Sequence, residues 1–406
     1  MIFIFVFGCT YRNMPNESEK PTGVNLTQQL NETIIDDNEE DTGEEEDNEE
    51  ELSFEDIVWQ QRINNSFTPK NCSAVERKFT NKHYQGKLID THIHIAPMPD
   101  SSPYEDIEIE NDEPTMGFNV NITDYVCMMD YEGTSKVFGF FAVWEPVPEM
   151  IKLVNRTMSE YPDRFVPFIM ASGEDDKPDG FPTVDAQTLS QMLSIDPGLF
   201  VGYGEIGLYA RGGHGGPKGS PALLPDSNML KEIYPVIRNQ SLVVYFHLGE
   251  GQKESFERVL DANPDINFIW HGDQLVSYGN GEEDLSSIED ILYDHPNAYY
   301  GVDELYGGEW ILKPEVGKEE FLAHFEEYNP LIEKDLDTWK EFIERHPDQV
   351  IWGTDRGWSS GWSVVDPEVA LTLNDYSRYF IGHLNPDVQE KFAYKNAEKL
   401  INKSYE

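Results

Sequence analysis

The chain has 406 residues, 39% hydrophobic and 12% aromatic, enough to bury a sizeable core in one large domain or two ordinary ones. It carries 76 acidic against 30 basic residues, a formal net charge of −46, and residues 36 to 56 alone hold 14 acids and no base. The remaining 62 acids still face 30 bases, so the body itself is acidic: it repels phosphate backbones, argues against nucleic acid as a partner, and suits high salt or an extracytoplasmic setting.

The opening residues "MIFIFVFGCT" form a short apolar run that ends at Gly8-Cys9. The run resembles the end of a bacterial or archaeal lipoprotein signal, although no Lys or Arg precedes it. Seven apolar residues, Ile2 to Gly8, are too few to span a bilayer. Residues 1–9 are therefore expected to be a lipoprotein-like signal end. Residues 10–56, rich in Asn, Glu, Asp, Thr and Gly, are expected to be an acidic disordered tether. On this reading the protein is anchored by lipid alone to the outer face of the cell membrane. Beyond Cys9 only Cys72 and Cys127 remain, which leaves open one bridge or two separate thiols. Residues 57–86, with Trp59, Val75 and Phe79, read as an N-terminal arm packed on the body, and the main fold is expected over 87–406.

Downstream, a Pro-punctuated phrase recurs: "EYPDRFVPFIMASG" at 160, "DANPDINFIWHGD" at 261, "YDHPNAYYGVDE" at 293 and "ERHPDQVIWGTDRG" at 344. Each follows a stretch with apolar residues three and four apart, so a helix ends at Pro, a turn follows, and a β-branched or aromatic run makes a strand. Eight such strands are expected, starting at 87, 135, 164, 198, 242, 266, 297 and 350. Helices are expected over 185–195, 227–238, 253–262, 284–293, 318–345 and 387–402, among others. The strands are apolar nearly throughout, as parallel strands covered on both sides should be. Eight βα units with right-handed crossovers most simply close into a (β/α)8 TIM barrel of the α/β class. The open doubly wound alternative would usually show a Gly-rich loop after its first strand, whereas here that strand ends in histidines.

On those strands, His92 and His94 end the first, Glu205 lies late in the fourth, His247 late in the fifth, His271 ends the sixth, and Asp355 follows the eighth. A barrel brings the carboxyl ends of all its strands to one mouth, so these residues become neighbours. Strand side chains alternate, which sends His92 and His94 to the same face, into the barrel, and Ile93 outward to the helices. A buried cluster of titratable groups is costly without an ion to compensate it, so the six positions together predict a metal site.

The set "THIH", "GEIGL", "FHLG", "WHGD" and "GTDRG" resembles the amidohydrolase superfamily of metal-dependent barrels, in particular its amidohydrolase-related and TatD-like branches, over about residues 87 to 403. The resemblance implies His92, His94 and Asp355 as ligands of a first metal, with His247 and His271 ligating a second or facing substrate. Glu205, standing where other members have a carboxylated lysine, would bridge two ions. In single-metal members the strand-six histidine, here His271, acts instead as acid/base. Either pattern fits, so one or two ions are expected. The ligand set suits Zn²⁺ best, then Mn²⁺ or Fe²⁺.

The expected activity is metal-dependent hydrolysis, with metal-activated water attacking an ester, lactone, amide or cyclic C–N bond of a small molecule. Asp355 would shuttle the proton and His271 would polarise the substrate. A decarboxylase-type lyase, a TatD-like nuclease and a catalytically inactive surface binding protein are the alternatives. Arg211 and His214 in the glycine-rich loop after the fourth strand, with Asp303, Arg356 and Trp358, are candidate substrate-binding residues, and Asp303 and Glu304 at the end of the seventh strand are also candidates to support the ligands from behind. His295 and His346 precede Pro at helix ends and read as structural.

Overall fold

The computed structural model describes residues 53–68, 79–95, 121–144, 146–171, 181–209, 222–249, 251–271, 285–303, 305–307, 311, 316–356 and 366–402. The lipoprotein-like start, the tether up to Leu52, Cys72, Arg211, His214, Glu304 and Trp358 lie outside them. Among the described residues no helix is long and apolar enough to cross a membrane.

The eight expected strands are all present: β1 Ile89–Ile95, β2 Lys136–Val143, β3 Phe165–Ala171, β4 Gly202–Gly207, β5 Val243–His247, β6 Phe268–His271, β7 Ala298–Val302 and β8 Val350–Trp352. They pair in parallel in sequence order, and an isolated bridge between Ile93 and Arg356 brings the last back to the first. With helices between the strands this is a (β/α)8 TIM barrel.

Alternation along the strands sorts the apolar residues into two layers. Ile89, Phe138, Phe140, Val166, Phe168, Val243, Tyr245, Ile269, Tyr299 and Ile351 fill the barrel interior. Val137, Phe141, Ile169, Val244, Phe246, Trp270, Tyr300 and Trp352 face the surrounding helices. Helices add one apolar stripe each. In α3, Val147–Glu160, the buried set includes Met150, Ile151, Leu153, Val154 and Thr157, the three-and-four spacing of a helix laid on a sheet.

Several helices depart from the sequence reading. Helix α2, Ile122–Glu132, and the helix Pro367–Ile381 were not among those foreseen. The single helix expected over 318–345 is broken into Lys318–His324 and Tyr328–Asp335, the latter running through a π-helical turn, Leu336–Lys340, into Glu341–Arg345. Pro330 explains the break, because it is tolerated only in the first turn of a helix and forces a fresh start there.

The arm is also more regular than expected. Its helix α1, Phe54–Asn65, begins three residues inside the stretch read as tether, because Ser53 and Asp56 cap each other's backbone N–H groups. Trp59, Ile63 and Phe67 are buried beneath it, and the Arg156 guanidinium lies over the Phe67 ring at 4.2 Å. Cys127 on α2 is disulfide-bonded.

The seam between β8 and β1 is held by charge. Arg356, expected at the substrate pocket, is fully buried on the outer side of the barrel. Its guanidinium lies 3.3 Å from Asp90 Oδ2 and 3.0 Å from Glu132 Oε2, and donates to Thr354 Oγ1 at 2.9 Å. Neighbouring residues at a strand end face opposite ways, so with Asp355 directed inward Arg356 has to point to the helices. Asp90 also accepts from Thr354 Oγ1 at 2.6 Å and from the backbone N–H of His92 at 3.1 Å, which ties the seam to β1. Burial raises the Asp90 carboxyl to about 6 even though Arg356 opposes the shift.

Removing one member of a buried ion cluster leaves the others uncompensated. Arg356→Met is therefore expected to cost about 3–5 kcal/mol, read as a lower midpoint in urea denaturation monitored by circular dichroism. A loss below about 1 kcal/mol, the range of an exposed pair, would show that the cluster does not hold the seam.

Candidate metal centre

All six sequence-predicted ligand positions meet at the carboxyl ends of the strands, and two irregularities make this happen. Register shifts between Asp90 and Ile93 in β1, and between Tyr203 and Ile206 in β4. Ile89 faces the interior, so strict alternation would send His92 and His94 outward; the bulge reverses the parity and turns both inward. In β4 the outward Tyr203 would likewise put Glu205 outside, and the second bulge brings it to the centre. Asp355 completes the rim in the left-handed region, at φ 47°, which few residues other than Gly, Asn and Asp adopt readily.

Four donors form a compact group: His92, His94, Glu205 and Asp355. His92 Nε2 lies 3.2 Å from His94 Nε2, 3.4 Å from Glu205 Oε2 and 3.2 Å from Asp355 Oδ1. His94 Nε2 lies 3.4 Å from Glu205 Oε2 and 3.3 Å from Asp355 Oδ1. Separations of 3.2–3.4 Å are those expected between neighbouring donors that each reach a shared Zn²⁺ at about 2.0–2.2 Å. Two imidazoles and two carboxylates, nearly sealed from solvent, are a donor set that a divalent cation fits in both charge and size.

Glu205, His247 and His271 make a second compact group, and His92, His271 and Asp303 a third. Glu205 Oε1 is 2.7 Å from His247 Nδ1, so its two oxygens serve different neighbours. His271 Nε2 stands 3.9 Å from Asp355 Oδ2, and its Nδ1 is 2.9 Å from Asp303 Oδ2.

Electrostatics follow from this crowding. Burial works to lower the His92 imidazolium, but Asp355 and Asp303 outweigh it and push the group up to about 10. Burial works to raise Glu205, but His271, His247, His92 and His94 hold it well below the carboxylate range. Asp303 is lowered too, against its burial, chiefly by His92 and His271.

Asp303 does not have the exposure that a substrate-binding role needs: its side chain is fully buried behind His92 and His271, so substrate cannot touch it directly. Tyr245 escaped the sequence reading. It donates to Asp303 Oδ2 at 3.0 Å and sits two residues before His247 on the inward face of β5. The alternation of Tyr245 with His247 was the available signal. His295 and His346 are buried away from the centre, near Asp261 and Glu289 respectively, in keeping with their structural reading.

The proton held on His92 has to leave before that nitrogen can ligate an ion. A raised imidazole contributes stability fully present below about 6.5, lost as pH rises through about 10, so metal and proton compete at this site. Calorimetric titration of Zn²⁺ into metal-free protein at pH 8, in buffers of different ionisation enthalpy, is expected to show release of about one proton or more per chain. Binding without proton release would place the ion elsewhere.

The amidohydrolase family model matches residues 89–403, a span that contains every residue of the three donor groups. No curated protein matches the chain. Among solved structures it is similar to a probable 2-pyrone-4,6-dicarboxylic acid hydrolase from Acinetobacter baumannii, at 11% identity over 77% of this chain and 98% of that one, with TM-score 0.44. An amidohydrolase from Burkholderia multivorans with bound zinc gives 7% identity, 78% and 99% coverage and TM-score 0.47. A 5-carboxyvanillate decarboxylase from Novosphingobium aromaticivorans, complexed with manganese, gives 12%, 80% and 99%, and 0.41. The family match covers most of the chain, from the first strand to the last helix, and on that ground the protein is a member of the amidohydrolase family, an enzyme of that metal-dependent superfamily.

Proposed function

We propose that the enzyme is a hydrolase that uses two divalent ions, Zn²⁺ in the first place, to cleave an ester, lactone, amide or cyclic C–N bond in a small molecule. One observation carries the reading: Glu205 presents Oε2 to His92 and His94 at 3.4 Å and Oε1 to His247 at 2.7 Å, so a single carboxylate joins two donor groups. His92, His94 and Asp355 would hold one ion, His247 and His271 the other, with Glu205 shared. Ions bound there supply Lewis acidity toward the substrate oxygen and make water a stronger acid.

The protein's own groups account for the remaining steps. Asp355, with about a tenth of its side chain exposed, is reachable from the mouth and takes the proton of the attacking water, then returns it to the leaving group. His94 and His92 fix the position at which attack occurs, because both are buried and cannot swing away. The rim of buried side chains keeps bulk water from the reacting atoms.

The contact of His271 with Asp303 favours a second reading, a lyase of decarboxylase type with one ion. A carboxylate behind an imidazole suits a residue that transfers protons, and His271 would then face substrate rather than ligate.

Metal stoichiometry, measured by elemental analysis after reconstitution and run beside a panel of esters, lactones, amides and carboxylates, separates these readings. Two ions per chain with hydrolysis are expected; one ion with release of carbon dioxide would replace the hydrolase by the lyase. Asp355→Asn is expected to lower kcat on the hydrolysed substrate by about 10²–10⁴-fold, and an unchanged kcat would remove Asp355 from the proton path.

A further inference from the structure

We propose that Asp303 is the positioning carboxylate of this centre, aiming His92 at the first donor group and His271 at the second at the same time, with Tyr245 locking it in place. The inference rests on the reading of His92 and His94 as metal ligands.

The sequence sets up a pair. Gly301-Val302-Asp303 at the end of β7 repeats as Gly353-Thr354-Asp355 just after β8, so each Asp stands two residues beyond a glycine at the carboxyl ends of adjacent strands. Their surroundings then diverge: Asp355 keeps about a tenth of its side chain exposed, whereas that of Asp303 is sealed. A fully desolvated carboxylate needs compensating neighbours, and those around Asp303 belong to the site: one hydroxyl donor, Tyr245, which also lies 3.3 Å from His92 Nδ1, and two imidazoles within ion-pair distance. Oδ2 accepts from Tyr245 Oη at 3.0 Å and lies 2.9 Å from His271 Nδ1 and 3.3 Å from His92 Nδ1.

The two ring nitrogens of an imidazole face opposite ways, and a carboxylate at Nδ1 keeps the proton there and leaves the Nε2 lone pair free. For His92 that lone pair is directed at the group formed with His94, Glu205 and Asp355. For His271, Nε2 is the nitrogen on the Asp355 side. One oxygen thus sets the tautomer of both rings.

The packing makes room for this carboxylate in particular. A Cβ at Gly353 would collide with Asp303 Oδ1 and approach His92 Cβ to 3.0 Å, and one at Gly301 would stand 2.8 Å from Asp303 Oδ2 and 2.9 Å from Tyr245 Oη. Glycine weakens a strand interior, and here both glycines mark the close approach of the same side chain. Tyr245 is itself held edge-on against Phe140, with ring centroids 4.9 Å apart. Its hydroxyl therefore has little freedom to turn away.

The test compares wild type with Asp303→Asn, Tyr245→Phe, His92→Ala and His94→Ala, each checked for folding by near-ultraviolet circular dichroism. Zn²⁺ affinity is read by competition with a chromophoric chelator, and ligand geometry by the visible spectrum of the Co²⁺ form. Asp303→Asn is expected to weaken Zn²⁺ binding about 10–100-fold and to alter the Co²⁺ spectrum, with Tyr245→Phe weaker than wild type by several-fold in the same direction. Long-range ¹H–¹⁵N spectra of ¹⁵N-histidine-labelled, Zn²⁺-loaded protein should show Nδ1-protonated rings for His92 and His271 that lose this signature in Asp303→Asn.

A folded Asp303→Asn variant with wild-type affinity, Co²⁺ spectrum and histidine tautomers would overturn the proposal. Should that variant not fold, Tyr245→Phe decides, unchanged affinity counting against. If His92→Ala and His94→Ala lose Zn²⁺ while Asp303→Asn keeps it, the positioning role alone fails. If the two histidine variants also bind as wild type does, the ligand reading fails with it.

Discussion

Mutual compensation of buried imidazoles and carboxylates at one rim of the barrel is the constraint on which the rest of the structure depends. His92, His94, His247, His271, Glu205, Asp303 and Asp355 are gathered where water barely reaches. Isolated, each charged carboxylate there would be severely destabilising; together they hold protons on His92 and keep Glu205 and Asp303 ionised. A divalent cation held by His92, His94, Glu205 and Asp355 would meet the same charge requirement. Structure and chemistry are therefore two aspects of one electrostatic problem.

A second ionic cluster, on the opposite face of the same seam, keeps the first in register. Asp355 points into the barrel and Arg356 out of it, and the latter binds Asp90 and Glu132 while Asp90 holds the backbone N–H of His92. Closing the barrel and placing its first ligand are thus coupled through two residues of β1. The bulge between Asp90 and Ile93 is where the coupling acts, since it is what turns the H-x-H pair inward.

Much of this was legible in the sequence, and the illegible parts share a cause. The strand order was readable because each helix ends at a proline and each strand is a short apolar run, both local signals. That six residues of ligand type would meet at one rim was readable because a parallel barrel carries every strand end to the same place. That His92 and His94 share the inward face was foreseen from alternation alone, yet counted from Ile89 the same rule gives the wrong face; only the bulge, a product of pairing with β2, makes the expectation right. Arg356 was misread because its partners, Asp90 and Glu132, are more than 200 residues away in sequence and nothing local announces them. Asp303 was read both as a support behind the ligands and as a substrate contact, because depth along a strand end depends on packing around Tyr245, Gly301 and Gly353 that nothing local announces. Arg211, His214 and Trp358 lie outside the described residues.

Family membership makes the protein an enzyme of a metal-dependent superfamily, and the proposal of hydrolysis within it rests on the arrangement around Glu205. The central claim is that His92, His94, Glu205 and Asp355 surround an ion. The most direct measurement is anomalous diffraction at the zinc edge from crystals of reconstituted protein. The account predicts a peak enclosed by those four side chains, with Glu205 at its shared boundary with His247. An empty centre in zinc-replete crystals, or a peak only at surface carboxylates, would contradict it.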